Sequence, residues 1–393
     1  MDNSFYGPLV LTIFLDSLDD AVIDDRAGGS IVFSPNELHL MLINSFTGTI
    51  DIWNLGELAP CLRLNIEPGV EAFFANDGMT LFTRTRHEIA KWRYPIGEKI
   101  SSYSLPKQFQ NPEGPVWWAL SPTGVIQIVI HEELFTIATD LAHCTQLQNI
   151  AHEHGISPVT LTSMPNASPL LVGLAFNGQN TKTLAVLNLK DNRLLWQSQI
   201  PLDYYPITSP TGRFLLLYSS QSSDAGLAEV LVGAEFLTLN QFDIGGIWAF
   251  GDDDRSFAQI VAENQRGDTS IVLRIIDLNS NVVKMRIENK VLLSTHPALT
   301  WSESSTLLGI THLIPDCNSS PHSRIVFVRA DTGAVCGHAL DHWCHTSTET
   351  TMSPTGRWFA SHYPTSEYCS TGKLIRAGSI AITDLESLQT GSR

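Results

Sequence analysis

SPTGRFLLLYS, residues 209–219, and SPTGRWFASHY, residues 353–363, write one turn followed by one kind of apolar run, and SPTG stands a third time at 121–124. The intervals are far too long for a helix or a hairpin, so the repeating unit is larger. A short apolar strand leads into a turn of Ser, Pro, Asn, Asp and Gly. A strongly apolar strand follows, then a polar loop, then an apolar strand ending in Asp-Leu or a close variant. Copies open their turns at Ser34, Ala75, Ser121, Met164, Ser209, Phe250, Trp301 and Ser353, which makes eight.

A period of roughly 40–50 residues with three or four short strands per copy predicts propeller blades rather than a sandwich, whose strands do not recur in groups. Ser-Pro-Thr-Gly supplies one residue fixed near φ of about −65° and one free to take positive φ, as a tight antiparallel turn requires. The strand after the turn, Val125 to Ile130 or Phe214 to Tyr218, shows no apolar/polar alternation. That is the pattern of a strand covered on both faces, and a blade lies between two neighbours.

The links between copies hold a fourth strand: CLRLNI (61–66), LLWQSQI (194–200), VVKMRIEN (282–289). The last copy has no room for one, while PLVLTIFL (8–15) is a strand with no blade before it. The N-terminal strand is therefore expected to complete the last blade, removing two exposed edges. The expected fold is all-β: a single eight-bladed propeller over residues 1–393, with a closing strand at 8–17, an acidic linker at 18–29 and repeats over 30–388. Seven blades is the alternative count.

Composition narrows the function. The net charge is −16 and no Lys/Arg run breaks it, so nucleic acid and anionic membrane are poor partners, and a basic protein is favoured. The opening segment lacks a basic leader region, and its apolar stretch is too short to span a bilayer. Six cysteines without CxxC spacing suit reduced thiols in the cytoplasm better than a disulfide scaffold.

The endings IDIWNL, RIIDL, AVLNL and AITDL resemble the WD40 family of β-propeller repeats, Trp53-Asn54 coming nearest to the Trp-Asp dipeptide of that family. The resemblance runs from about residue 8 to 388. It implies a rigid platform that binds other macromolecules, usually without catalysis, on the face carrying the d–a and b–c loops and at the channel mouth.

The sequence holds no GxSxG, GxxxxGK[ST], HExxH or GxGxxG, which argues against an enzyme. In CGHALDHWCH (336–345), Cys336, His338, His342 and Cys344 fall at even spacing, as zinc ligands on one side of a strand would. One strand cannot bring them all to one ion without a sharp bend, so free thiols and imidazoles are expected, and no cofactor. His152 and His154 lie in a loop between copies. GDDDR (251–255) occupies the position of SPTG and reads as a charged turn rather than a calcium loop.

Large aromatics recur near the start of first strands: Phe73 and Phe74, Trp117 and Trp118, Tyr204 and Tyr205, Trp248, Trp301. They either wedge between blades or ring the channel as a binding patch. Links between second and third strands are long at 219–228, 315–323 and 363–378, and the last carries Tyr363, Tyr368, Lys373 and Arg376. Trp117, Tyr204, Trp248, Trp301 and these four residues are the candidate partner-binding set. The resulting expectation is a non-catalytic scaffold for a protein or peptide, acting alone or as part of a larger complex. The alternative is a metal- or cofactor-binding propeller enzyme using the channel.

Overall fold

A computed structural model describes residues 9–16, 29–45, 47–75, 77–107, 110, 116–120, 125–130, 133–138, 141, 144–147, 157–162, 170–176, 181–188, 193–209, 214–219, 224–229, 238–243, 247–251, 255–265, 268–278, 280, 282–288, 298–302, 307–314, 322–340, 349–363, 367–368 and 374–386. They fall into two compact units, Met1–Val70 with Gly246–Arg393, and Glu71–Gly245.

The first unit begins with β1 (Leu9–Asp16) and a sheet of β2 (Gly29–Phe33), β3 (His39–Asn44), β4 (Thr49–Asn54) and β5 (Ala59–Asn65). The second unit supplies four sheets in chain order. They are β6 (Glu71–Phe74), β7 (Thr80–Arg84), β8 (Glu88–Arg93) and β9 (Glu98–Ser104); then β10 (Val116–Leu120), β11 (Val125–Ile130), β12 (Glu133–Ala138) and β13 (Cys144–Leu147); then β14 (Ser157–Thr162), β15 (Leu170–Phe176), β16 (Thr181–Asn188) and β17 (Arg193–Pro201); then β18 (Tyr204–Thr208), β19 (Phe214–Ser219), β20 (Asp224–Glu229) and β21 (Thr238–Asp243). The chain returns to the first unit with β22 (Ile247–Phe250), β23 (Ser256–Gln265), β24 (Asp268–Asp277) and β25 (Val282–Glu288), then β26 (Ala298–Trp301), β27 (Leu307–Ile314), β28 (His322–Arg329) and β29 (Val335–Leu340). A final sheet holds β30 (Glu349–Met352), β31 (Trp358–Tyr363), β32 (Glu367–Tyr368) and β33 (Leu374–Asp384).

Each four-stranded sheet is an antiparallel meander, first strand to fourth. The final sheet differs: its order is β30, β31, β33, β1, with β32 also on β33. The N-terminal strand pairs antiparallel with β33, Leu9 opposite Thr383 and Ile13 opposite Ile380. This is the expected closure. The expected fourth strands at 61–66, 194–200 and 282–289 are likewise present as β5, β17 and β25. The predicted ring of eight blades, or of seven, is carried by neither unit alone: each holds four sheets. Counting repeats gives sheets, and says nothing of how they group into compact bodies.

The burial pattern explains why second and third strands read as unbroken apolar runs. In the β26–β29 sheet, Leu308, Ile310, Val326 and Val328 pack on Ala258, Ile260, Leu273 and Ile275 of β23 and β24. Their neighbours in sequence, Leu307, Ile325 and Phe327, pack on Met352, Phe359 and Leu385 of the final sheet. Alternate residues thus serve opposite neighbours, so both parities must be apolar. The final sheet in turn offers Trp358, Ala360, Ile380 and Ile382 to Ile31, Phe33, Leu40 and Leu42. In the second unit, Phe82 and Ile89 pack with Ile126, Ile128 and Ile137, and Val172, Leu174, Leu184 and Val186 pack with Leu215.

Candidate functional site

Among the described residues, the two ends of the sheets are built differently. At one end lie the turns joining first to second strand and third to fourth. Ser34, Ser209, Ser302 and Ser353 are 0–1% exposed. Each serine N–H donates to the carbonyl five residues on, at 2.8–3.0 Å. Each hydroxyl oxygen accepts the N–H of that same residue, His39, Phe214, Leu307 or Trp358, at 2.9–3.2 Å. A small hydroxyl thus satisfies a buried donor that the tightness of the turn leaves without a ladder partner. Three residues after the turn opens, Glu37 (φ 57°), Gly78 (φ 62°) and Gly356 (φ 79°) take the left-handed conformation.

Two of the described turns lack the serine. Ala75 makes the same backbone pair with Thr80, and Asp77 supplies the acceptors, Oδ1 to the N–H groups of Met79 and Thr80 and Oδ2 to the Thr80 hydroxyl. Gly251 pairs with Ser256, which puts GDDDR in the turn position predicted for it, although 252–254 lie outside the described residues. The openings expected at Phe250 and Trp301 move one residue on, to Gly251 and Ser302. An apolar side chain there belongs to the strand, and the hydrogen-bonding position follows it.

The Asp-Leu endings also acquire separate roles. Oδ1 of Asn54, Asp277 and Asp384 accepts backbone N–H groups of the following turn, from Gly56, Ser280 and Glu386. The next residue, Leu55, Leu278 or Leu385, is at most 2% exposed and donates its N–H back to Leu38, Arg255 or Arg357. This end is a standardised framework of short, internally bonded turns.

The opposite end carries the links from second to third strand and from fourth strand to the next sheet. Their lengths vary widely: residues 131–132 and 266–267 in two sheets, 315–321 and 364–373 in two others. In the first sheet this end is tied down. Gly48 approaches the Glu67–Pro68 backbone so closely that an added Cβ would lie 2.4 Å from the Glu67 carbonyl carbon, and the Ser45 hydroxyl donates to the Val70 carbonyl at 2.9 Å. The link read as 219–228 is shorter, since β20 already begins at Asp224, and the 363–378 stretch includes β32 and the start of β33, with Glu367 opposite Arg376 and Tyr368 opposite Leu374. Residues 364–366 and 369–373 of it lie outside the described residues.

Of the candidate partner-binding residues, Trp301 is 5% exposed, packs on β23 and β24, and donates Nε1–H to the Ala249 carbonyl at 3.2 Å. It acts as an inter-sheet wedge, with both the apolar face and the polar tip of its indole engaged within the sheets. Trp248 is half-buried, stacked on Phe257 at 6.2 Å, and Tyr204 is half-buried against Leu215 and its neighbours. Phe73 is half-buried against Phe82 at 5.5 Å. Trp117, Tyr363, Tyr368 and Arg376 are placed on their strands only, and Lys373 lies outside the described residues.

Among the described residues no group of three or more His, Cys, Asp or Glu could hold a metal. His338 sits on β29 opposite Val326, while His342 and Cys344, like His152 and His154, lie outside the described residues. Burial pushes the Cys336 thiol up, against the opposing pull of Arg329, so it holds its proton rather than presenting a thiolate. Burial pulls the His39 imidazole and the Lys182 ammonium down, Asp203 partly countering the latter. Several described cations pair with local acids: Arg63 with Asp51, Arg93 with Glu98, Lys284 with Asp277, Arg329 with Asp331, Arg357 with Asp384 and Glu386. No helix among the described residues is long and apolar enough to cross a membrane.

No protein-family model matches the sequence, and neither does any curated protein. Solved structures do. The β-propeller domain of Cps50 (Swd1) from Myceliophteria thermophila is 11% identical with a TM-score of 0.51, covering 96% of this chain and 99% of that one. The WD40 domain of SCAP from fission yeast is 10% identical with a TM-score of 0.53, covering 97% and 94%. A eukaryotic initiation factor is 13% identical with a TM-score of 0.55, covering 93% and 87%. At such identities the likeness is one of fold: this chain is an all-β β-propeller of four-stranded antiparallel blades, similar over almost its whole length to WD40 propeller domains.

Proposed function

We propose that this protein is a non-catalytic platform that holds a protein or peptide on the end of its sheets carrying the links between second and third strands. One observation carries the reading. The described turns at the serine-turn end share one backbone pair, whereas the links at the other end run from two residues to the 364–373 stretch that holds β32. Variable loops on a fixed scaffold are where recognition is usually placed. The structural likeness to WD40 domains supports a scaffold, as fold-level analogy does and no more strongly.

The finer reading puts the contact on the final sheet around β32 and β33, with Tyr363, Tyr368, Lys373 and Arg376, and Trp117, Tyr204 and Trp248 as further candidates. A basic partner suits the net charge of −16, chiefly by speeding encounter. Cysteines without paired spacing favour a reducing compartment. The test is affinity capture coupled to cross-linking, using the intact chain and a variant in which 364–373 is replaced by a two-residue turn. Partners retained by the first and lost by the second are expected; equal recovery by both excludes this link as the binding element.

A further inference from the structure

In the first unit, residues 9–70 and residues 349–386 meet across most of the chain length. They are joined by the β1–β33 ladder, by the apolar layer of Ile31, Phe33, Leu40 and Leu42 against Trp358, Ala360, Ile380 and Ile382, and by a third contact between two turns. In that contact the Glu37 carboxylate accepts from both polar hydrogens of Thr355. Oε1 takes the backbone N–H, and Oε2 takes the hydroxyl at 2.7 Å.

Glu37 stands where Gly78 and Gly356 stand in the sister turns, at φ 57°. A side chain in that conformation is disfavoured relative to glycine. The Glu37 side chain spans from the turn of the first sheet to the turn of the last. The partner turn has the complementary build: its own left-handed position is Gly356, and Thr355 is exposed toward Glu37.

We propose that Glu37 and Thr355 form a latch that governs local opening of the N-terminal segment 9–70 from the final sheet. The ladder and the apolar layer hold the two together; the latch fixes the turns and is the part that gives way first. Breaking it raises the fraction of molecules in which β1 and β2 are released while the β22–β25 and β26–β29 sheets stay packed.

The test is native-state hydrogen exchange on the full chain, comparing amides of β2, β31 and β33 with those of β23 and β24. Glu37→Ala removes the carboxylate and keeps a side chain in the same left-handed backbone; Thr355→Val removes the hydroxyl donor and leaves only the backbone N–H. Each single change is expected to speed exchange in β2, β31 and β33 about five- to tenfold, with β23 and β24 unchanged. The double variant is expected to exchange no faster than the faster single one, since both remove one contact. Thr355→Asp, which sets a second carboxylate against Glu37, is expected to open the segment further than Thr355→Val, and added salt to narrow that gap. Fully additive effects of Glu37→Ala and Thr355→Val, or acceleration spread equally over β23 and β24, overturns the latch.

Discussion

The final sheet and the β6–β9 sheet solve one problem with different chemistry. In each, the first residue of the turn donates to a carbonyl five residues on at 2.8 Å, a glycine takes positive φ, and a buried residue after the third strand plugs the framework end. In the final sheet the acceptor is the Ser353 hydroxyl, 0% exposed, and the plug is Leu385. In the β6–β9 sheet the acceptor is the exposed Asp77 carboxylate, and the plug is Tyr94, edge-on to Phe74 at 5.4 Å. The backbone pair is what the blade requires. The side chain that completes it is interchangeable, provided that the N–H opening the second strand is satisfied.

Four changes probe that equivalence. Leu385→Ala empties a fully buried site between two sheets, and a loss of about 2–5 kcal/mol, read from the urea unfolding midpoint, is expected. Ser353→Ala leaves the Trp358 N–H buried without its acceptor, and should cost about 1–3 kcal/mol. Loss of well under about 1 kcal/mol there would mean that water replaces the hydroxyl, and that the serine is not the device described.

Asp77→Ala is expected to cost about 1 kcal/mol, less than the serine change, because the freed N–H groups at an exposed turn can bond to water. Asp77 also brings a pH dependence that Ser353 cannot. Burial acts to raise its carboxyl, but the hydrogen bonds from Met79 and Thr80, helped by Lys91, outweigh this and hold it below the ordinary 3.8. A carboxyl depressed on folding adds stability above its unfolded value, and that stability fades as pH falls through the folded one. Acidification below about pH 4 should therefore speed exchange of the Met79 and Thr80 amides in the wild-type chain, and Asp77→Asn should flatten the response. Smallest of all, Ala75→Ser should change stability by less than about 0.5 kcal/mol, since the Thr80 N–H it would serve is already taken.

The repeat was legible because propeller strands are short, apolar on both faces and separated by turns of restricted chemistry. SPTG betrays the Pro and Gly conformations, and the orphan strand at 8–15 betrays the closure. The hydroxyl of the same motif was harder to see. Its value depends on burial and on the residue five positions on, which is chemically unremarkable in sequence: His39, Phe214, Leu307 or Trp358. Trp301 was ambiguous for a related reason. An aromatic at the start of a first strand packs between sheets or faces outward with the same sequence signature, and only the Ala249 carbonyl within reach of its indole decides. Glu37 gave no signal at all, since its partner lies 318 residues away.

Because β1 completes its sheet on β33, the first unit is assembled from both ends of the chain, while Glu71–Gly245 lies in one continuous stretch. The β1 ladder can therefore form only once residues 376–384 have been made.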